Sequence, residues 1–182
     1  MVLFMKNALR MTTHTVRPAT VRDAKAIARV HASVTQALLR DILMMDKLSG
    51  PSIEERQAYW REAIEYSEPQ VQVAIEGETM VGFVGFDRSR DKGTPSTTGE
   101  LWALCVLPDH VQQGIGTALW DAAHDGLKDE GCTKVTVWLP LRDERALRFF
   151  EHNGFKRETN SLRLVSAGSA KMEEIRLRRD LL

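Results

Sequence analysis

The chain has 182 residues, a length that fits one domain and can close a core without disulfides or metals. Its 25 Lys plus Arg balance 25 Asp plus Glu, which removes the basic surplus that nucleic-acid binding uses, and 43% hydrophobic with 27% charged residues excludes disordered and collagenous compositions. The longest tight apolar run, 103–107, is far short of the ~20 residues of a membrane span, and residues 1–10 lack the ~7–15-residue apolar stretch of a secretory leader. A cytoplasmic protein is therefore expected, with no membrane or nucleic-acid partner and with Cys105 and Cys132 as reduced thiols.

Residues 1–13 read as an N-terminal extension, of which 1–10 is an upstream start or an expression remnant before Met11, and 14–182 as a single domain. Apolar residues at Val21, Ala24, Ile27, Val34 and Leu38 share one helical face, which predicts an amphipathic helix over 20–39, capped by Thr20 with Asp23 in its first turn. Gly50-Pro51 breaks the chain, and Ser52 with Glu55 forms a capping-box pattern for a second helix through Tyr66. The first strands are expected after these helices, over 71–75 and 80–86, joined as a hairpin through Glu76-Gly77-Glu78-Thr79. Residues 90–99 are polar with nothing to bury and read as a mobile loop. A strand over 100–107, a helix over 114–130 and a strand over 133–139 imply a parallel crossover, followed by a helix over 143–153. Two further strands, 155–165 and 173–181, flank a turn at 166–170.

The sharpest local signal is a strand ending at Val106-Leu107-Pro108, followed by Val111-Gln112-Gln113-Gly114-Ile115-Gly116-Thr117 opening a helix. Glycines let backbone approach a ligand, and the free amides and positive end of a helix favour phosphate oxygens; a tight turn packing helix on sheet is the competing reading. A P-loop fails because no lysine follows Gly116, and a dinucleotide fingerprint fails because Leu119 stands where a third small residue belongs.

Three blocks together resemble the GNAT superfamily of N-acetyltransferases: 99–108 (GELWALCVLP), 113–119 (QGIGTAL) and 145–155 (RALRFFEHNGF), with Arg17-Pro18-Ala19-Thr20 as the opening. The resemblance spans about residues 14–181 and implies an α/β domain with a mixed, mostly antiparallel central sheet flanked by helices. It implies acetyl-coenzyme A as cosubstrate, no metal, an amine acceptor of small-molecule or peptide nature, and homodimerisation. By the same resemblance, backbone at Val111, Gln112, Gln113, Gly114, Ile115, Gly116 and Thr117 would hold the pyrophosphate, while Leu104, Cys105 and Val106 would pair with the pantetheine arm as an added strand. Asp143, Phe149 and Phe150 fall in the segment that borders the arm. Val111 and Asp143 depart from the family's usual Arg or Gln and Asn.

Amine acetylation needs a neutral nucleophile, while an alkyl ammonium has a pKa near ~10.4, so a base is useful. Glu100 lies 14 residues before Gly114, a spacing that resembles the catalytic glutamate of the histone-modifying branch; a solvated strand-start residue is the other reading. The amides near 104–106 are candidates to meet the oxyanion. Phe150 stands where relatives offer a tyrosine to the departing thiolate. Cys105 reads as an inert apolar residue rather than a nucleophile. By the resemblance, His31 on the first helix borders the acceptor site, an ordinary partly buried histidine being the other reading, and Trp102 is a second acceptor-side candidate; Tyr59, Trp60 and Tyr66 either line a pocket or fill core, and Arg145 and Arg148 either touch coenzyme phosphate or decorate the helix, with decoration favoured. His14, His31, His110, His124 and His152 never fall three or four apart, so zinc-hydrolase patterns are missing. A non-catalytic acyl-coenzyme sensor or partner-binding module on the same fold is the alternative, motivated by Phe150, Val111 and Asp143.

Overall fold

In the computed structural model, which describes residues 13–44 and 50–181, the sheet begins before the helices. Strand β1 (His14–Pro18) pairs antiparallel with β2 (Gln70–Glu76), His14 opposite Glu76 and Pro18 opposite Gln72. It was not expected because the segment is short and only partly buried, leaving little apolar alternation to read. Residues 1–12 of the expected extension lie outside the described residues.

Thr20 caps a short 3-10 turn (Val21–Asp23) rather than the long helix itself, and α1 then runs Ala24–Leu43. The Asp23 carboxylate accepts from the Thr20 backbone amide at 2.7 Å and pairs with Arg17 at 2.8 Å. The hydrogen bond from Arg17 holds that carboxyl below the ordinary aspartate range. Because the 3-10 turn shifts the phase, Val21 is exposed, while Ala24, Ile27 and Val30 are buried. Helix α2 (Ile53–Tyr66) starts on the expected capping box: the Ser52 amide donates to Glu55 at 2.7 Å, and the Glu55 amide to Ser52 Oγ at 3.1 Å.

The hairpin of β2 with β3 (Thr79–Arg88) turns on Gly77 at φ +61°. Next come β4 (Thr98–Val106), α3 (Ile115–Asp129), β5 (Lys134–Pro140) and α4 (Glu144–His152). The expected strand over 155–165 is divided into β6 (Lys156–Arg157) and β7 (Arg163–Ala167), because the intervening residues turn: the Ser161 amide donates to the Glu158 carbonyl at 3.0 Å. Strand β8 (Ala170–Asp180) closes the fold. The sheet order is β1-β2-β3-β4-β5-β8-β6 with β7 beside β8, and every pairing is antiparallel except β4 with β5, the crossover read from the sequence.

Helices cover both faces. On one, Leu119, Trp120 and Leu127 of α3 and Leu147 of α4 bury against Phe86, Leu101, Val135 and Leu177. On the other, Ile27 of α1 and Trp60 of α2 pack on Val73, Phe83 and Cys105. Each such large apolar side chain contributes about 1.5–3 kcal/mol when fully buried, so the helices are fixed against the sheet before any ligand binds. The loop after β3 is fastened rather than free. Asp91 accepts from Trp138 Nε1 at 3.0 Å and from Arg176 at 2.9 Å, and Thr98, expected in the loop, is buried at the start of β4. No helix among the described residues is long and apolar enough to cross a membrane.

Candidate active site

The site begins where two strands part. β4 and β5 are paired from Thr98 opposite Lys134 only as far as Leu101 opposite Val137. β4 continues to Val106, paired with β3 alone, while β5 stays with β8 as far as Pro140 opposite Glu174. A register shift at Gly85–Phe86 skips Trp102, a bulge at the point of divergence. Beyond it, Leu104, Cys105 and Val106 present one backbone edge with no strand beside it among the described residues, and an extended chain can add there through main-chain hydrogen bonds.

The open edge leads into the Gly114 loop. After a 3-10 turn (Pro108–His110), Val111 is extended, Gln112 is left-handed at φ +61° and Gly114 at φ +81°. Gln113 Nε2 donates to the Asp109 carbonyl at 3.3 Å. The first α-helical bond joins the Ala118 amide to the Gly114 carbonyl at 3.0 Å, so the amides of Ile115, Gly116 and Thr117 stand ahead of the helical ladder. The two glycines serve different ends. A Cβ on Gly114 would meet nothing within 4 Å, so its role is the backbone conformation beside open space; a Cβ on Gly116 would lie 3.2 Å from the Phe149 ring, so Gly116 also lets α3 pack on α4.

Helix α4 borders the same region. Asp143 caps it, its Oδ1 accepting from the Ala146 amide at 3.0 Å. Phe149 lies over Gly116, whereas Phe150 is 3% exposed with its ring edge-on to Phe149 and Phe155 at 5.1 and 5.0 Å. The position matched to the family's tyrosine is thus packed into core. Arg148 pairs with Glu144 at 3.2 Å on the surface.

On the opposite face of β4, a cleft of about 690 Å³ opens between α1 and α2, lined by His31, Gly50, Pro51, Glu55, Arg56, Tyr59 and Trp60. Trp60 is mostly core, its indole N–H donating to His31 Nδ1 at 3.0 Å; Tyr59 is half exposed, and Tyr66 is exposed and outside the lining. Burial, helped by the nearby Arg56 charge, pushes the His31 pKa down to about 4. Burial lowers the Arg56 guanidinium pKa as well, with Cys105 close enough to oppose that shift. Burial drives the Cys105 thiol up to about 12, which removes it as a nucleophile near neutrality.

Glu100, 3% exposed, sits one residue before the last β4–β5 pair, opposite Thr136. Its Oε2 accepts from the Arg90 amide at 2.9 Å and Ser89 Oγ at 3.3 Å, and Oε1 from the Arg90 guanidinium at 2.9 Å. That guanidinium lies 3.9 Å above the Trp102 ring, and Trp102 Nε1 is buried with no hydrogen-bond partner among the described residues. Sequence reading missed Arg56 and Arg90. Arg56, Tyr59 and Trp60 fall at i, i+3 and i+4, a shared helical face that could have been read; the bond from Arg90 to Glu100 joins residues on different elements and left no local signal.

A helix-flanked sheet with one parallel pair splayed toward a helix N-terminus offers a backbone-lined slot that ends at amides suited to an anion. A family model described as "Acetyltransferase (GNAT) family" matches residues 37–155. The chain is 31% identical over 128 residues to the uncharacterized N-acetyltransferase YuaI of Bacillus subtilis, covering 69% of this chain and 70% of that one. An N-acetyltransferase structure from Staphylococcus aureus Mu50 superposes with TM-score 0.75 at 16% identity, over 93% of this chain and 99% of that one. yncA of Salmonella typhimurium, solved with its cofactor acetyl-CoA, superposes with TM-score 0.73 at 20% identity, over 93% and 94% of the two chains. The chain belongs to the GNAT acetyltransferase family.

Proposed function

We propose that this protein transfers an acetyl group from acetyl-coenzyme A directly to a primary amine of a small molecule or peptide. The observation that carries this reading is the opening of β4 from β5 after Leu101, running into the left-handed Gly114 and the free first-turn amides of α3. Those amides and the helix dipole suit a pyrophosphate, and the unpaired edge at Leu104, Cys105 and Val106 suits the amide-bearing arm that follows it. Val111 would contribute backbone alone there. Phe149, lying over Gly116, would wall the slot, and Phe150 would support it from the core.

The cosubstrate supplies an activated thioester. Attack by the amine nitrogen forms the amide as the carbon–sulfur bond breaks; the sulfur leaves as thiolate, and the second proton lost by the nitrogen passes to solvent. An amide of β4 near Leu104 to Val106 would meet the carbonyl oxygen. Glu100 would receive the ammonium proton through water, since Arg90 and Ser89 already bond to both its oxygens. His31 cannot share that task near neutrality: Trp60 occupies the Nδ1 lone pair, so the proton is on Nε2 and the ring is a donor. A thiol of reference pKa near ~8.5 leaves tolerably as thiolate, so buried Phe150 in place of an acid does not stop the step.

The test is thiol release from acetyl-coenzyme A across a panel of primary amines, with the acetylated product identified by mass spectrometry. Release matched by product supports the reading. Tight coenzyme binding without release from any amine would favour a sensor, a reading to which the missing hydroxyl at Phe150 lends support.

A further inference from the structure

The cleft between α1 and α2 is built around a cation, Arg56, that forms no ion pair among the described residues. The Arg56 Nε donates to the Pro51 carbonyl at 3.3 Å, and among the described residues no carboxylate comes within 4.0 Å of the guanidinium. The acid in the lining, Glu55, is turned to its own helix start, where its Oε2 accepts from the Ser52 amide at 2.7 Å. The other titratable wall is a neutral imidazole whose free N–H is a donor. Arg56, its terminal nitrogens and His31 therefore offer hydrogen-bond donors and one positive charge.

The cleft lies on the acceptor side of the proposed transfer. Arg56 interacts electrostatically with Cys105, which lies four positions along β4 beyond the last pair with β5, on the open edge. Tyr59, another lining residue, interacts electrostatically with Arg90, the residue held by Glu100 over Trp102. Trp60 of the lining packs in one cluster with Cys105, so the cleft sits beside the part of β4 that has left β5.

We propose that the acceptor is an amino acid or a similar small amine bearing a carboxylate, with Arg56 binding the carboxylate and so setting the substrate class. This rests on the acetyl-transfer reading above. The planar guanidinium matches a carboxylate with two parallel bonds, and a single charge beside a neutral histidine suits a monoanion rather than a phosphate dianion. Trp60 and Tyr59 give the cleft an aromatic wall for an apolar portion of the same molecule. A cation half withdrawn from water gains most from a ligand that neutralises it, so the free amine without its carboxylate should bind poorly.

The experiment compares kcat/KM for the common L-amino acids and for their decarboxylated amines, phenylalanine against phenethylamine being one pair, in the wild type, Arg56→Gln and Arg56→Lys. The expected result is a preference of about 30-fold or more for the best amino acid over its amine, lost in Arg56→Gln through KM and partly kept in Arg56→Lys. A melting temperature and an acetyl-coenzyme A affinity close to those of the wild type report that Arg56→Gln is folded. Turnover with no preference for the carboxylate, or a preference that survives Arg56→Gln, overturns the assignment of Arg56 and leaves acetyl transfer standing. No thiol release with any of these compounds overturns this inference, while release with another amine of the wider panel leaves acetyl transfer standing.

Discussion

Trp60 Nε1 donates a hydrogen bond to His31 Nδ1 at 3.0 Å, locking the imidazole in the tautomer with its proton on Nε2. The ring is thereby held neutral, with a pKa of about 4 set mainly by burial. An unfolded histidine titrates near ~6.5, so between the two values the unfolded chain binds the extra proton. Stability from this residue is complete above pH ~6.5 and is lost as pH falls toward 4. We predict that the melting temperature of the wild type falls more steeply over that interval than that of His31→Gln, measured by thermal denaturation across pH. Parallel curves would show that the His31 ring is not buried as described.

The two loop glycines should respond differently to a methyl group. Gly114→Ala places an L-residue at φ +81°, at about 1–2 kcal/mol, and disturbs the amides ahead of α3, so acetyl-coenzyme A affinity should fall about tenfold or more by calorimetry. Gly116→Ala pushes against the Phe149 ring, so it should also lower the melting temperature, and adding Phe149→Leu should restore that loss. A Gly114 variant with unchanged affinity would remove the loop from the coenzyme site.

Glu100→Gln keeps the shape of the side chain and an acceptor for the Arg90 amide while removing its capacity to hold a proton. A positioned base contributes ~10²–10⁴-fold, so kcat should fall by that order with coenzyme affinity little changed, and activity should move to higher pH where free amine is more abundant. Wild-type kcat in this variant would assign Glu100 to fastening Arg90 and Ser89 alone.

Phe150→Tyr tests whether the late helix can supply an acid. The ring is buried against Phe155, so the added hydroxyl enters apolar surroundings, at about 1–3 kcal/mol without a partner. We expect a lower melting temperature and kcat within about threefold of wild type. A rise of about tenfold would show that the hydroxyl reaches the departing sulfur.

The order of elements, the hairpin at Gly77, the parallel crossover and the glycine loop were legible because each is written in local periodicity or turn chemistry. The β1 strand was not, since five residues with one half-buried edge carry no pattern. The division of the strand over 155–165 was hidden because its turn uses Ser161 and Glu158 rather than glycine or proline. The loop over 90–99 looked free because its anchors, from Asp91 to Trp138 and Arg176, join residues far apart in sequence. For the same reason the proposed coenzyme loop could be read from contiguous residues, whereas the cleft between α1 and α2, lined from both helices and the Gly50-Pro51 segment, emerged only in three dimensions.

The most direct test of the central claim is to incubate the wild-type protein with acetyl-coenzyme A and the amine panel and to measure thiol release and acetylated product together. Release should depend on the amine and match the product one for one. Acetyl-coenzyme A bound in the slot with no thiol released from any amine would contradict it.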